Sequence, residues 1–484
     1  MINVQATLYL LAFPIGLMGL VQAFFALLSL WVFDDHHQTQ FLTPALLMLF
    51  TTAAFLWVGR RFDPSRIKYR DALLFATLTW VICGVLGAVP IIYITGVSFT
   101  DGVFESVSAL TTTGATVLSG LDDMPKSFLM YRQFLQWLGG LGVVIFVVAV
   151  LPMLNVGGMK LLKAETPGPI KDDKLSPRIS HTTQYLWLVY VSLTVLCAIS
   201  YFLGGMDAFD AICHSFTTVS TGGFSTHDAS MGYFQSPALL LISNVFMLLG
   251  AISFALHFKV LRSRNVMTYL QDEETRTFLA IVLFLSVVIA LVLLVDGIYH
   301  NSLIALNQSL FHLISFITST GYGADSFTAW PNSVLLMLVI AGYLGGCAGS
   351  TAGGNKIIRI ILSFKLINLE VKRLIHPRAI FNVKYQGRPV ESSILSATVA
   401  FMNVAAASTL VLTLLLMATG LDFWSALSGV AACLNVLGPG MGALGNNFAP
   451  VSDAGIWVLS AAMILGRLEY FTVLALFLPA FWKY

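Results

Sequence analysis

Charged residues are scarce in this 484-residue chain: Asp, Glu, Lys and Arg make up 10% of it, and the formal net charge is +2. Such a balance provides no strongly basic surface, and we expect no nucleic-acid partner. Cysteine is equally sparse, because its five copies lie scattered within apolar segments and show no CxxC spacing. This pattern excludes a surface disulfide framework and is typical of ordinary core residues.

Catalytic signatures are also missing. The sequence contains neither HExxH nor GxSxG, and no polar cluster in its apolar segments resembles an acid–base pair. The stretch Gly438-Pro-Gly-Met-Gly442 superficially resembles a dinucleotide-binding motif, but it follows an apolar segment and not a strand. We therefore expect that the chain is not an enzyme and binds no nucleotide itself.

Apolar residues dominate instead. They make up 57% of the chain, and the mean hydropathy of +0.83 is typical of a protein embedded in lipid. Ten apolar runs are long enough to cross a bilayer, and the first lacks the basic start and cleavage site of a signal peptide. The runs cover residues 8–32, 42–58, 72–95, 131–155, 184–204, 236–258, 278–298, 333–362, 394–419 and 455–481. We predict an all-α polytopic membrane protein with ten spans.

The basic residues are clustered. Of 26 Lys and Arg residues, 22 lie in the segments 60–70, 160–178, 259–276 and 356–388, and the segments between them are mainly acidic. The positive-inside rule makes the four basic segments cytoplasmic. Ten spans then place both termini in the cytoplasm.

Four apolar segments end in small, mostly polar residues followed by a glycine. These cassettes are Leu110-Thr-Thr-Thr-Gly114, Val219-Ser-Thr-Gly-Gly223, Ile317-Thr-Ser-Thr-Gly321 and Leu434-Asn-Val-Leu-Gly438. Their glycines are 109, 98 and 117 residues apart, which indicates a module repeated in order. All four cassettes fall on the outer side, and a ring of four backbone loops is one way to form an ion-selective pore.

Each cassette ends a segment of about a dozen residues, too short to cross the membrane. These segments cover residues 101–112, 208–219, 306–317 and 423–434. We predict re-entrant half-helices, so that each copy is a helix–pore-loop–helix unit. Irregular backbone at membrane depth needs protein or water around it, which favours one central pore shared by a fourfold pseudo-repeat.

When the four cassettes are aligned on their glycines, other positions also match. Glu105, His214 and His312 each lie nine residues before the glycine of their cassette, whereas the fourth copy has Gly429 there. We expect the two histidines to pack behind the loops and not to bind an ion. The column three residues before the glycine is polar in every copy: Thr111, Ser220, Thr318 and Asn435.

The chemistry of such loops suits a monovalent cation. Glycine accepts the backbone angles that turn successive carbonyls toward one axis, where they replace the water around an ion. The half-helices add the negative ends of their dipoles, and no carboxylate ring of the kind used for divalent ions is evident. Two other interpretations stay open: an ordinary helix C-cap at any single copy, and turns for tight helix packing.

A glycine-rich break interrupts the final helix of the third copy, and we expect it in that copy only. Six of the thirteen residues from 342 to 354 are glycine, which disfavours a continuous helix from 333 to 366. One interpretation is an unwound loop that gates the pore. The other is a helix-packing face, because Gly345, Gly349 and Gly353 have four-residue spacing.

Arg467 is the one basic residue near the centre of a predicted span. A charge there usually faces a partner or a cavity, and Glu469, two residues on, lies on another helix face. We predict that Arg467 lines the pore or contacts the glycine-rich break. A structural ion pair is the alternative.

In combination, these residues resemble the TrkH-type potassium transporters of the Trk/Ktr/HKT superfamily. The resemblance rests on the four cassettes, the glycine-rich break at 345–354 and the Gly466-Arg467 pair, and it covers nearly the whole chain. It divides the chain into an N-terminal transmembrane helix pair, 1–66, and four pore repeats, 67–165, 166–268, 269–376 and 377–484. The third repeat contains the gate loop.

The resemblance also implies a function and its residues. It implies K⁺ uptake across the bacterial inner membrane by a homodimer, regulated by a cytosolic ring of nucleotide-binding TrkA-type subunits. The implied K⁺ filter is Thr111, Thr112, Gly114, Ser220, Thr221, Gly223, Thr318, Ser319, Gly321, Asn435, Val436 and Gly438. The implied gate is Gly345, Gly346, Gly349, Ser350, Thr351, Gly353 and Gly354, with Arg467 as the pore charge. The fourth cassette departs from the Thr/Ser-rich pattern, so its ligands are the least defined.

A rival class is a Na⁺- or H⁺-coupled secondary transporter (a symporter). Such proteins usually show inverted repeats, whereas these four units run in one direction with their loops on the outer side. The basic segment 356–388 either docks a cytosolic subunit or is an ordinary solvated positive-inside loop.

Overall fold

The structure is a computed structural model that describes residues 4–60, 68–140, 142, 179–379 and 381–483. Within these residues the regular structure is helical apart from one short antiparallel pair, in which Lys384–Tyr385 pairs with Arg388–Pro389. The all-helical class expected from the sequence is confirmed.

Two antiparallel helices at the N-terminus pack against each other and onto the rest of the chain. The first runs over Val4–Leu28 and ends in a π-helical turn, and the second runs over Gln38–Gly59. The buried Gln22 amide on the first helix donates to the Leu86 carbonyl and the Tyr131 hydroxyl, each at 3.1 Å. These bonds fix the pair to the helices that follow.

Twelve of the remaining described helices form four consecutive groups of three: a long leading helix, a half-helix and a trailing helix. The leading helices are Tyr69–Thr95, Ile179–Leu203, Glu273–Val295 and Ser392–Ala418. The half-helices are Phe99–Leu110, Ala208–Val219, Ser302–Ile317 and Phe423–Leu434. The trailing helices are Lys126–Gly140, Pro237–Ala251, Asn332–Leu344 and Asp453–Arg467. This order matches the helix–loop–helix unit that the cassettes predict.

Every half-helix begins at a side chain that caps its free N–H groups. Ser98, Asp207, Asn301 and Asp422 each accept a hydrogen bond from a backbone N–H in the first turn. These residue types are the preferred helix N-caps, so the starts of the half-helices are set locally by the sequence. The second and fourth half-helices have the predicted bounds, the first lies two residues earlier, and the third starts four residues earlier.

The second and fourth trailing helices, predicted as the continuous spans 236–258 and 455–481, are broken as well as the third. After Ala251 the chain bends by 99° into Phe254–Ser263, and after Arg467 it bends by 113° into Tyr470–Phe477. In the third copy, a non-helical stretch over residues 345–356 separates Leu344 from Ile357–Ile375. We call this stretch the glycine-rich loop.

The break in the second copy has a visible cause. The carbonyls of Gly250 and Ala251 accept the backbone N–H groups of Thr351 and Cys347, at 3.2 and 2.9 Å. Because the glycine-rich loop satisfies these carbonyls, the helix end needs no further turn. Such long-range partners leave no mark in the local sequence.

The described helices account for part of the predicted spans. Six are long and apolar enough to cross a membrane, and the two bent pairs raise this number to eight. Large apolar side chains on these helices, such as Leu203 and Val295, are exposed, at 78% and 84%, as expected of a surface in contact with lipid. The second half of the run 131–155, the basic cluster 160–178 and the segment boundaries at 66/67 and 165/166 lie outside the described residues.

Candidate functional site

Each half-helix ends in the same hydrogen-bond pattern. In the first copy, the N–H of Thr112 bonds to the Ala109 carbonyl at 3.0 Å, and the N–H of Thr113 bonds to the Ser108 carbonyl at 2.9 Å. This pair of bonds is a Schellman cap, and the corresponding bonds recur in the other three copies. The C-cap interpretation is therefore correct for the helix ends themselves.

The residue in the left-handed position of each cap is not glycine. It is Thr112, Thr221, Ser319 or Val436, with φ between 54° and 60°. Non-glycine residues, and β-branched ones above all, rarely adopt this conformation. The glycine of each cassette lies two residues further on and is also at positive φ, between 75° and 101°. A helix cap alone does not require glycine at that second position.

The four glycines lie against one another's loops in a closed cycle. A Cβ atom added to any one of them would come within 3.0 Å of a backbone carbonyl oxygen of the next loop. The pairs are Gly114 with Gly222, Gly223 with Thr320, Gly321 with Leu437, and Gly438 with Thr113. The cassettes, separated by about a hundred residues in sequence, thus form a ring in which no side chain fits at these positions.

Polar side chains three residues before the glycines bond back to their own half-helices. Thr111 and Thr318 donate to carbonyls four residues earlier, both at 2.7 Å, and the amide of Asn435 does the same at 2.9 Å. Asn435 therefore substitutes for a threonine in the fourth loop. These bonds hold the three side chains against the ends of their own half-helices.

A buried ion pair supports the first loop from behind. The Arg132 guanidinium lies 2.5 Å from the Glu105 carboxylate, and both side chains are almost fully buried. Glu105 also accepts from Thr116 at 3.0 Å and from the Val117 N–H at 3.2 Å. Arg132 stacks on Phe224 of the second loop, so the pair links two neighbouring loops.

The other copies anchor the same outgoing segment with different groups. His214 bonds to Ser225 at 2.9 Å, His312 accepts from the Ala324 N–H at 3.3 Å, and Ser428 accepts from the Met441 N–H at 3.0 Å. Glu105 and the two histidines occupy the same position in the aligned cassettes. Nothing in the sequence indicates that Ser428 anchors the outgoing segment in the fourth copy.

Gln136, on the first trailing helix, supports the second loop although no sequence motif points to it. Its amide nitrogen donates to the Gly222 carbonyl at 2.7 Å, and its amide oxygen accepts from the Phe224 N–H at 3.0 Å. These two bonds hold the second loop around its glycine. An isolated glutamine in an apolar helix carries no motif, although its buried polarity is a weak signal of a tertiary partner.

The glycine-rich loop lies against the ends of three half-helices at the ring. The Gly353 N–H donates to the Ser319 hydroxyl at 2.5 Å, and a Cβ on Gly353 would collide with the Asn435 carbonyl. The Thr351 hydroxyl donates to the Val219 carbonyl at 3.1 Å, at the end of the second half-helix. Gly345, Gly349 and Gly354 have φ between 73° and 75°, so these residues do not form the continuous helix that a glycine packing face requires.

Arg467 contacts the glycine-rich loop. It ends the fourth trailing helix, and its guanidinium donates to the carbonyls of Thr351, Gly139 and Gly140 at 3.2, 2.6 and 3.0 Å. Glu469 instead pairs with Arg359, at 2.5 Å. The arginine therefore connects the loop to the first trailing helix.

Comparison with known proteins assigns the family. Residues 36–484 match the TrkH family model, which is described as a cation transport protein. The chain belongs to the TrkH family. The Trk system potassium uptake protein TrkH of Vibrio parahaemolyticus is 44% identical over 479 residues, which cover 97% of this chain and 99% of that protein. The same-named protein of Escherichia coli K12 is 44% identical over 91% of this chain and 92% of its own length.

A solved TrkH structure has the same fold. The crystal structure of the potassium transporter TrkH from Vibrio parahaemolyticus aligns with a TM-score of 0.90 at 40% identity, and the match covers 100% of both chains. The TrkG protein of Escherichia coli K12 is more distant, at 37% identity over 431 residues. The resemblance inferred from the cassettes is thereby confirmed, and the chain is a multi-pass membrane transporter.

Proposed function

We propose that this TrkH-family chain takes up potassium across the bacterial inner membrane through the ring of four loops. The closed cycle of glycine contacts carries the proposal, because it brings four distant cassettes to one narrow site. The relatives, which are named potassium uptake proteins, support K⁺ as the ion.

The proposed filter uses backbone oxygens as its ligands. Four half-helices end at the ring, and each contributes the negative end of its dipole, which favours a cation. Carbonyls arranged around a dehydrated ion replace its water shell. The proposed positions are Thr111, Thr112, Gly114, Ser220, Thr221, Gly223, Thr318, Ser319, Gly321, Asn435, Val436 and Gly438.

The proposed gate is the glycine-rich loop. Its contacts with Ser319, Asn435 and Val219, at the ends of three half-helices, support a position across the inner side of the ring. Arg467 adds a positive charge there and holds the loop through the Thr351 carbonyl. The proposed gate residues are Gly345, Gly346, Gly349, Ser350, Thr351, Gly353 and Gly354.

The proposed assembly is a homodimer with one pore per protomer and both termini in the cytoplasm. The word "system" in the relatives' names supports further subunits, and we propose a cytosolic nucleotide-binding TrkA-type regulator. The exposed Lys and Arg side chains between residues 372 and 388 belong to the proposed cytoplasmic face and are available to it.

Shortening the glycine-rich loop tests the gate. Gly345 and Gly354 already lie side by side, so removing 346–353 joins neighbouring residues without moving the flanking helices. We expect K⁺ flux into liposomes to rise, and we expect the rise to vanish when the deletion is combined with Gly321→Ala in the ring. Unchanged or lower flux from a folded deletion variant would contradict the gate.

A further inference from the structure

Glu274 contacts both ends of the glycine-rich loop from outside it. The residue lies in the first turn of the third leading helix, Glu273–Val295. One of its carboxylate oxygens, Oε1, accepts the Ala348 N–H at 2.8 Å and the Ile358 N–H at 3.0 Å. Ala348 lies early in the loop, and Ile358 lies just after the loop ends, so one atom joins the two ends.

The bond to Ile358 has a second effect. Ile358 belongs to the first turn of Ile357–Ile375, and the residue before that helix, Lys356, provides no side-chain cap. Free N–H groups at a helix start attract a carboxylate through both hydrogen bonds and the helix dipole. Glu274 is therefore the cap of this helix, supplied from another part of the chain.

The burial of Glu274 makes its negative charge energetically costly. Glu274 is only 6% exposed, and a buried carboxylate requires hydrogen bonds and compensating charge. The buried Lys356 ammonium, which donates to the Ala352 carbonyl within the loop, attracts the carboxylate. If the loop leaves its place, Glu274 loses the Ala348 N–H and this favourable charge. The contact therefore resists movement of the loop.

We propose that Glu274 is a positioning residue that latches the glycine-rich loop in the closed position. The proposal rests on the gate function proposed above. Arg467 holds the loop at Thr351, whereas Glu274 bonds to Ala348 within the loop and to Ile358 just after it. Opening then requires that the Glu274 bonds are released in addition to those of Arg467 and of the ring.

The neighbouring carboxylate provides a matched control. Glu273 precedes Glu274 on the same helix, but it pairs with Lys365 and accepts the Gln386 N–H at 3.0 Å, away from the loop. Glu273→Ala removes a carboxylate of the same size and leaves the loop contacts intact. A general effect of lost charge at this helix end would appear in both variants.

Cys347 provides a readout that does not depend on transport. It lies in the glycine-rich loop next to Ala348 and is 1% exposed. The other four cysteines are replaced by alanine, and the rate at which a water-soluble maleimide labels Cys347 is measured in the purified full-length protein. K⁺ flux of the same variants is measured in liposomes.

We expect Glu274→Ala and the better-packed Glu274→Met to speed labelling of Cys347 by about tenfold or more, because two hydrogen bonds to a charged group are lost. Flux should rise in parallel. Glu274→Gln keeps an acceptor oxygen, so it should restore slow labelling, and Glu273→Ala should match the parent. Only variants that elute as one folded species are compared.

The possible outcomes distinguish the proposed role of Glu274 from the proposed gate function of the glycine-rich loop. Unchanged labelling in both folded Glu274→Ala and Glu274→Met overturns the latch, whatever the flux. Failure of Glu274→Gln to restore slow labelling also counts against it. Faster labelling without higher flux shows that Glu274 holds the loop but that the loop is not the gate, which overturns the gate function.

Discussion

Two positions in each loop adopt left-handed backbone, and they do so for different reasons. The first closes the Schellman cap and is occupied by Thr, Ser or Val, although glycine would adopt this conformation more easily. The second is glycine because the next loop's carbonyl occupies the space of a side chain. Local strain at the first position is thus held by the packing of the ring.

A comparison of Gly321 with Gly297 separates the effect of backbone conformation from that of the neighbouring carbonyl. Both have positive φ, at 79° and 70°, but only Gly321 faces a neighbouring carbonyl, whereas nothing lies within 4 Å of a Cβ at Gly297. Gly297→Ala should cost about 1–2 kcal/mol of stability and leave K⁺ flux per folded molecule unchanged. Gly321→Ala should reduce that flux at least about tenfold. Equal flux in the two variants would contradict the ring.

The Glu105–Arg132 ion pair supports the first loop, and the sequence alone does not indicate that these two residues pair. Both members are buried, so Glu105→Ala leaves an uncompensated guanidinium and should lower the unfolding free energy by about 3–5 kcal/mol. The exposed pair Glu370–Arg373 is the control, and Glu370→Ala should change it by about 0.5 kcal/mol or less. Thermal unfolding in detergent measures both. Similar losses in the two variants would contradict this account.

At the scale of elements, the half-helices were the most predictable part. Their length, their capping residues and the polar cassette that ends them are all local properties, and the second and fourth bounds agree with the prediction. The trailing helices were less predictable, because their ends depend on partners far away in sequence. Gly140 and Ala251 end helices whose last carbonyls are bonded by distant groups.

Arg467 illustrates this limit. The apolar run 455–481 placed it near the middle of a span, whereas the structure ends the helix there and bends the chain. Sequence alone suggested a pore charge or a contact with the glycine-rich break. It could not identify Thr351, Gly139 and Gly140 as acceptors, because those contacts join three copies.

Substitution of Arg467 tests its link to the loop. Arg467→Ala removes all three hydrogen bonds and should raise K⁺ flux per folded molecule severalfold. Arg467→Lys keeps the charge but lacks the fork geometry that reaches several carbonyls, so an intermediate flux is expected. Lower expression with unchanged flux per folded molecule would show that the arginine is only structural.

For the whole molecule, the order of the copies and their common direction could be read from the sequence. The ring itself could not, because contact between loops about a hundred residues apart depends on how the helices pack. The same holds for Glu274, whose partners lie 74 and 84 residues away. The hydrophobic pattern indicates that a segment lies in lipid but does not specify which segments are neighbours.

The central claim is that the ring passes K⁺ selectively. The most direct measurement compares K⁺ with Na⁺ flux into liposomes that contain the purified variant lacking 346–353, with no gradient of any second ion. We predict K⁺ flux that exceeds Na⁺ flux and needs no Na⁺ or H⁺ gradient. Equal K⁺ and Na⁺ flux, or K⁺ flux that appears only with a Na⁺ or H⁺ gradient, would contradict the account.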